Sequence, residues 1–440
     1  MKKLFLIIIS FVFLYSSELK IATYNVENLF DDKFDGTEYY DFNIKKSSWN
    51  TKKYQEKLSN LSEVINEINP DIIALQEVEN YSTLQDLAKQ SGYKFYKFTK
   101  DKTSPFGVGV MSKIEILSTK NYAVKSVKTR DILRADFKFD DSEFSIFINH
   151  FPAAKNPIRH RKAAATTLYQ AVNETIKKGK KNLILLGDFN SDLGDNFLLN
   201  DIIRINKFTN LWDEIPKNLQ ISHKSNRAID HVLLSQSFFQ NSPYYKKGSF
   251  GICKASINYF EISDHLPLCF SINSEKTSID LVTKTINEIY KNQQIDTKTL
   301  IQKATVIYKD EVGYVISQGQ GESVFVFDKN AVVDVGKIYD LIAYKSEIYD
   351  GNFEITSAKI INSYDKITDI DKYKIDFKNI NTARSGDIIT NIVGDVKSGY
   401  LHTKFGKIKL FSRSKKLNDN LDLKEALFWN YKGKKELIIK

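Results

Sequence analysis

Short apolar runs that stop abruptly at polar residues recur along the first two thirds of this chain. In Asn182-Leu-Ile-Leu-Leu-Gly-Asp188-Phe-Asn190, four apolar residues end at Gly187, and an acid and an amide follow two residues apart. Such a run predicts a strand buried on both faces. Residues i and i+2 of an extended segment point the same way, so Asp188 and Asn190 aim at one point beyond the strand's C-terminal end. Leu19–Thr23 leads in the same way to Asn25, Ile72–Leu75 to Glu77, and Phe144–Ile148 to His150. Two further strands begin rather than end with acids, at Asp230 and at Asp264-His265.

Helical spacing separates these runs. Tyr54, Leu58, Leu61, Ile65 and Ile68 recur at three- and four-residue steps from Thr51 until Asn69-Pro70 stops them. Residues 81–91 predict a short helix closed by Gly92. Residues 157–178 predict a basic amphipathic helix with Ile158, Ala165, Leu168, Val172 and Ile176 inward. Strands joined by helices gather their ends along one rim. One acid there would be a solvated cap, but a set drawn from Asp, Glu, His and Asn suggests a hard-metal site beside acid–base groups.

After a polar, lysine-rich segment at 276–299, expected to be a linker helix, the pattern turns all-β. Short β-branched and aromatic runs fill 300–365 and, more weakly, 383–440, with hairpin signals at Asp350-Gly351 and Lys432-Gly433. Each half is long enough for a small five-stranded barrel.

Composition adds three constraints. The 440 residues are 42% hydrophobic and 27% charged, enough for two or three domains with substantial cores. The net charge of +10 is concentrated at the end, where residues 397–440 hold 12 Lys/Arg against 4 Asp/Glu. That suits a polyanion such as nucleic acid, or an anionic membrane surface. Residues 1–17 have the positive start and short apolar run of a signal peptide, so export without a permanent membrane anchor is expected. Leu14 or Tyr15 at the −3 position is poor for cleavage, which leaves an uncleaved anchor as the alternative. The two cysteines, Cys253 and Cys269, exclude a disulfide scaffold and a Cys/His zinc site, and their spacing leaves their pairing open.

Taken together, Tyr24-Asn25-Val-Glu-Asn-Leu-Phe, Leu75-Gln76-Glu77-Val, Asn149-His150, Gly187-Asp188-Phe-Asn190, Ile229-Asp230-His231-Val-Leu-Leu-Ser235 and Ser263-Asp264-His265-Leu-Pro267 resemble the endonuclease/exonuclease/phosphatase family. The family includes deoxyribonucleases, repair nucleases, inositol-polyphosphate phosphatases and bacterial sphingomyelinases. The resemblance covers about residues 19–273 and implies a four-layer α/β sandwich, two mixed sheets face to face with helices outside, over a catalytic domain of 18–275. It implies Glu77, Asn25 and Asp264 around Mg2+ or Mn2+, His265 with its partner Asp230 as the catalytic dyad, Asn190 and His150 donating to phosphate oxygens, and Asp188 orienting or deprotonating the water. His150 is a candidate general acid, and the base is left between Asp188 and His265. No carboxylate partner for His150 stands out, and His231 reads as structural. Arg161, Lys404, Lys407 and Lys409 are the basic residues expected to bind substrate.

In the last third, Val335-Gly336-Lys337 before a long strand resembles the OB-type modules of secreted bacterial nucleases. Tandem modules at 300–365 and 383–440 would offer aromatic and lysine surfaces to nucleic acid. The implied activity is an exported metal-dependent phosphodiesterase, a nuclease in the first instance and a sphingomyelinase or other phospholipid phosphodiesterase in the second.

Overall fold

The computed structural model describes residues 18–439 except 126, 193–202, 205, 278–280, 296–297, 368, 405 and 413–422. Residues 1–17, read above as a signal peptide, therefore lie outside the described residues. Two compact units divide after residue 279.

Two mixed sheets build the first unit. One holds β1 (Glu18–Leu29), β2 (Ile72–Val78), β3 (Phe95–Thr99) and β4 (Gly107–Ser112). The other holds β5 (Ser118–Tyr122), β6 (Ile132–Phe139), β7 (Ser142–His150), β8 (Leu183–Asp188), β9 (Phe208–Asn210) and β10 (Asp230–Ser235). Short strands β11 (Tyr244–Tyr245) and β12 (Gly251–Ile252), with β13 (Leu268–Asn273), complete the first sheet. Its order is β11–β13–β1–β2–β4–β3 with β12 also on β13, and the second runs β5–β6–β7–β8–β10–β9. β1 is parallel to β2 and β7 to β8, whereas β13 and β10 run antiparallel to their neighbours.

Helices α1 (Thr51–Ile68) and α2 (Tyr81–Gln90) cover the first sheet, and α3 (Ile158–Lys177) covers the second. All five residues predicted to form the α1 stripe are buried. Asn50 caps its start by accepting from the Lys53 amide, and Asn69 ends it in a left-handed conformation at φ 50°. In α3 the outcome differs. Ile158 and Ile176 are exposed, and the buried stripe is Arg161, Ala164, Ala165, Leu168, Ala171, Val172 and Thr175.

The period-two alternation of the strands sorts the site residues. On β1, Ala22, Tyr24 and Val26 pack under the helices, so Ile21, Thr23 and Asn25 face the opposite way. On the second sheet Phe147, Leu183, Leu185 and Leu233 pack under α3, which turns His150, Asp188 and Asp230 away from it. The two sheets touch through β1, β2 and β4 against β7 and β8. Asn25, His150, Asp188 and Asp230 consequently meet where the inner faces end.

Backbone irregularities finish the job. Register shifts occur on β1 between Asn25 and Leu29 and on β2 between Gln76 and Val78. Glu27, Asn28, Glu77 and Asn190 all have left-handed φ, from 47° to 62°. A bulge of this kind re-aims a side chain, and it turns Glu77 out of the alternation that its neighbour Gln76 obeys. Gly187 sits at φ +122°, where an added Cβ would overlap the Asn149 carbonyl oxygen.

The second unit is all-β apart from short helical turns. Its first sheet runs Thr299–Lys309, Gly313–Ser317, Ser323–Phe327, Asn352–Lys366, Lys337–Tyr349, with the last paired back onto the first and the short Val282–Thr283 alongside Thr299–Lys309. The second runs Ile388–Thr390, Glu425–Tyr431, Lys434–Ile439, Gly406–Ser412, Tyr400–Thr403, Asp395–Lys397, with Ile375–Asp376 at one edge. Asp350-Gly351 and Lys432-Gly433 are two-residue hairpin turns with all four φ positive, as the sequence predicts. The two halves are not independent beads. Ile307, Val315 and Phe325 of one share a buried cluster with Ile388, Leu427, Trp429 and Ile438 of the other. The 276–299 segment also departs from a linker helix. Among its described residues only Ile286–Asn292 is helical, behind a Thr285/Glu288 capping box, and Ile286 and Ile289 are core residues of the β unit.

Gly187→Ala should destabilise the protein by at least about 2 kcal/mol, because left-handed strain and overpacking add. Chemical denaturation of the first domain's fluorescence checks it, with Gly179→Ala, which meets no neighbour, as the comparison for left-handed strain without the clash.

Candidate functional site

His265 and Asp230 form the centre. The His265 Nδ1 lies 2.7 Å from Asp230 Oδ2, and both side chains are buried. Asp230 is fixed in turn by the Ser222 hydroxyl, which donates to the same oxygen at 2.7 Å and accepts from the Asp230 amide. His265 Nε2 therefore faces the opening, 3.8 Å from Asp188 Oδ2 and 3.8 Å from Asp264 Oδ1. Burial alone would lower the His265 pKa, but the charge and hydrogen bond of Asp230, with Asp188 and Asp264 behind it, raise it to about 10.

Asp188 is wholly buried and accepts three hydrogen bonds. The Asn190 amide donates to Oδ1 at 2.7 Å, while the Asn190 and Asn25 carboxamides donate to Oδ2 at 2.9 and 3.1 Å. Burial outweighs the nearby His265 charge and lifts Asp188 to about 7. Acid and base values are thus pushed apart, with a carboxyl near neutrality beside an imidazolium. His150 Nε2 lies 3.6 Å from both Asp188 and Glu77. Burial, then Arg130 and His265, hold His150 well below its ordinary value. Among the described residues its Nδ1 has no hydrogen-bond partner, so none of their carboxylates orients the ring through that nitrogen. A neutral ring suits a hydrogen-bond donor better than a general acid.

Glu77, like Asp264, is a partly open carboxylate of the group. Its oxygens accept from the Asn28 amide at 3.0 Å and from Asn25 Nδ2 at 3.2 Å. Asn25 presents its nitrogen to Glu77, Asp188 and His265, while its oxygen accepts from the Glu27 amide. Asn25 as a metal ligand through its oxygen therefore requires the amide to turn. The donor set otherwise fits a hard cation. Glu27 feels Asp264 and Glu77 as like charges, and burial together with that crowding raises its pKa. Lys57 is the half-buried counter-charge to Glu27, Glu77 and Asp264, with its own pKa lowered by burial. Among the described residues, two tighter groups could hold an ion: His223, Asp264 and His265, and Asp188, Asp230 and His265. The second is already a satisfied hydrogen-bonded dyad.

Eight predicted residues thus converge: Asn25, Glu77, His150, Asp188, Asn190, Asp230, Asp264 and His265. Arg161 does not join them. It is buried on α3 and donates to the Ala153 carbonyl at 3.3 Å. His231 is structural, held between Asn210 and the Ser191 carbonyl. Lys404, Lys407 and Lys409 belong to the second unit. There Lys407 and Lys409 line an open concavity of about 580 Å3 with Tyr400, Tyr431, Lys432 and Lys434. Lys404 lines a separate one, and Lys409 is paired with Glu436 at 2.6 Å. Sequence reasoning missed Glu27, Lys57, Arg130, Ser222 and His223. Glu27 stood inside a quoted motif, whereas the others sit on an exposed-looking helix face or in polar loops without periodicity. Cys253 and Cys269 pair as a disulfide that joins the start of β13 to the segment after β12.

A raised folded-state pKa means that the His265 imidazolium stabilises the fold fully below about pH 6.5 and loses that contribution as pH climbs toward 10. The Tm of the metal-free protein should therefore fall between pH 6.5 and 10, and His265→Ala should flatten that fall. Parallel Tm curves for the two proteins would detach the slope from His265.

Residues 20–222 match the Endonuclease/Exonuclease/phosphatase family profile. The chain is 25% identical to nocturnin of Rattus norvegicus and 24% to that of Homo sapiens over 252 residues, which cover 53% of this chain and 53% of each relative. It spans about half the length of the curated relatives it matches. Among solved structures, a functionally unknown conserved protein from Enterococcus faecalis is 17% identical, with 58% of this chain and 100% of that chain covered at a TM-score of 0.44. The human nocturnin catalytic domain with bound sulfate is 17% identical, with 58% and 94% covered at 0.43. The matched stretch of this chain is an endonuclease/exonuclease/phosphatase family domain.

Proposed function

We propose that the first domain hydrolyses phosphodiesters with a bound divalent cation, Mg2+ or Mn2+, and that its substrate is nucleic acid. The convergence of Glu77, Asp188, Asp230, Asp264 and His265 at the rim of two facing sheets carries this reading. A cation held by Glu77, with Asn25 and Asp264 beside it, would polarise a phosphoryl oxygen and stabilise charge on the leaving oxygen. Asp188, raised to about 7, is the better general base for water. His265, raised to about 10, is cationic at neutral pH and stabilises charge on the phosphoryl group, held in its tautomer by Asp230. His150 and Asn190 donate hydrogen bonds to non-bridging oxygens.

The outer helices and paired inner sheets support the four-layer sandwich as the architecture of this domain. In the second unit, five long strands that close on themselves, with Ser323–Phe327 parallel to Asn352–Lys366, support the OB-like reading. Exposed Tyr400 and Tyr431 amid lysines support a surface for single strands. Export is also our reading, and the Cys253–Cys269 disulfide supports it because such bonds persist in oxidising compartments.

Three measurements test the reading. Incubation with plasmid DNA, RNA and sphingomyelin, with Mg2+ or EDTA, should show cleavage of nucleic acid only and none in EDTA. Cleavage of sphingomyelin alone would move the substrate to phospholipid. Glu77→Gln should lower turnover by at least about 100-fold, partly restored by excess Mn2+; undiminished turnover in this variant would remove Glu77 from the cation's shell. In the full chain, Lys407, Lys432 and Lys434→Gln together should flatten the salt dependence of binding to a long single strand by about 0.7 in slope per lost phosphate contact. An unchanged slope would make that face an ordinary solvated surface.

A further inference from the structure

We propose that His223, which none of the family motifs contains, is a positioning residue that holds Asp264 in its working orientation. The proposal rests on the phosphodiesterase reading above. Asp264 is more than a third exposed, so the fold alone does not fix its rotamer. Its amide donates to Glu27, but its carboxylate Oδ2 lies 3.3 Å from His223 Nε2. Asp264 Oδ1 is the oxygen 3.8 Å from His265 Nε2. One carboxylate thus stands between two imidazoles and faces the reacting space with what remains.

The direction of the His223 hydrogen bond follows from its other nitrogen. The Ser225 backbone N–H, which can only donate, lies 3.0 Å from Nδ1. The Ser225 hydroxyl, 2.7 Å from Nδ1, can donate or accept. The backbone donor favours the lone pair on Nδ1, which puts the proton on Nε2, pointing at Asp264. The ring is pre-organised by its turn. Both the Ser222 and His223 amides donate to the Arg227 carbonyl, and Asn226 closes the turn by donating to the His223 carbonyl. The turn is tied to the Asp264 segment by backbone bonds from Lys224 to Asp264 and from Leu266 to Ser222. Finally, the His223 ring meets the His265 ring edge to face at 4.7 Å. Ser222 fixes Asp230 while its neighbour His223 fixes Asp264, so a single tight turn sets two of the three acids that flank His265.

Nitrogen-15 NMR of the metal-free protein should show one histidine, lost in His223→Gln, as the Nε2–H tautomer. Mn2+ binding followed by electron paramagnetic resonance should weaken by about 10-fold or more in His223→Ala, as for other residues that orient a ligand. Turnover should fall by a similar factor with KM little changed and Tm within a few degrees. His223→Gln, which keeps a donor at the same reach, should recover most of both losses. His223→Phe keeps the ring but not the donor, and should recover neither. Combined with Asp264→Asn, His223→Ala should add little. Wild-type behaviour of His223→Phe, losses that multiply in the double variant, or a lone pair on Nε2 would each overturn the proposal. If the wild type cleaves no phosphodiester, the functional reading fails, while the tautomer and Mn2+ measurements still decide the role of His223.

Discussion

The hydrogen bond from Asn25 Nδ2 to Asp188 Oδ2, 3.1 Å long and wholly buried, joins the two sheets at the point where they open. Everything polar in the site depends on that join. Asn25 belongs to a strand whose other residues are packed against helices or inner-face neighbours, and Asp188 ends the most buried strand of the opposite sheet. A buried carboxylate is costly unless each oxygen finds donors. Asn25 and Asn190 supply them without adding charge. The acid stays poised near neutrality instead of being neutralised by an ion pair, as Asp136 is by Arg134 in the same sheet.

From that join outward the site is graded. The dyad of His265 and Asp230 is closed to solvent and rigid, with Ser222 and the Trp212 indole tying Asp230 on its far side. Glu77, Asp264 and His223 are partly open. Groups that hold or move a proton are inside, and groups that would exchange water with a cation are at the mouth. Burial and exchange thus divide the labour along a few ångströms.

Much of this was legible in the sequence because it rests on periodicity. Strand ends at Asn25, His150, Asp188 and Asp230 converge because alternation alone turns them inward. The α1 stripe was readable because its five large residues outweigh everything else on that face. The α3 stripe was readable only at Ala165, Leu168 and Val172, because hydropathy favours Ile158 and Ile176 over Ala164, Ala171 and Arg161, which in fact pack. Glu77 was readable as an acid at a strand end, but its direction was not, since a left-handed residue breaks the alternation on which the inference rests. His223 left no periodic signal at all, being set by a turn whose partners are 41 residues away at Asp264. The shared core of the two β halves was invisible for a similar reason. Phe325 and Trp429, whose rings lie 5.5 Å apart, each read as ordinary core residues of their own half.

The left-handed backbone at Glu27, Asn28, Glu77 and Asn190 has an evolutionary side. Each is a position where glycine would relax the chain by about 1 kcal/mol. Asn69, Asp140, Lys207 and Asn226 are left-handed in the same domain and lie outside the eight converging residues, so relief there would leave the chemistry intact. A population selected for thermal hardiness while keeping its activity would drift toward glycine at those positions, and glycine at Glu77 or Asn190 would mark a descendant that had given the activity up.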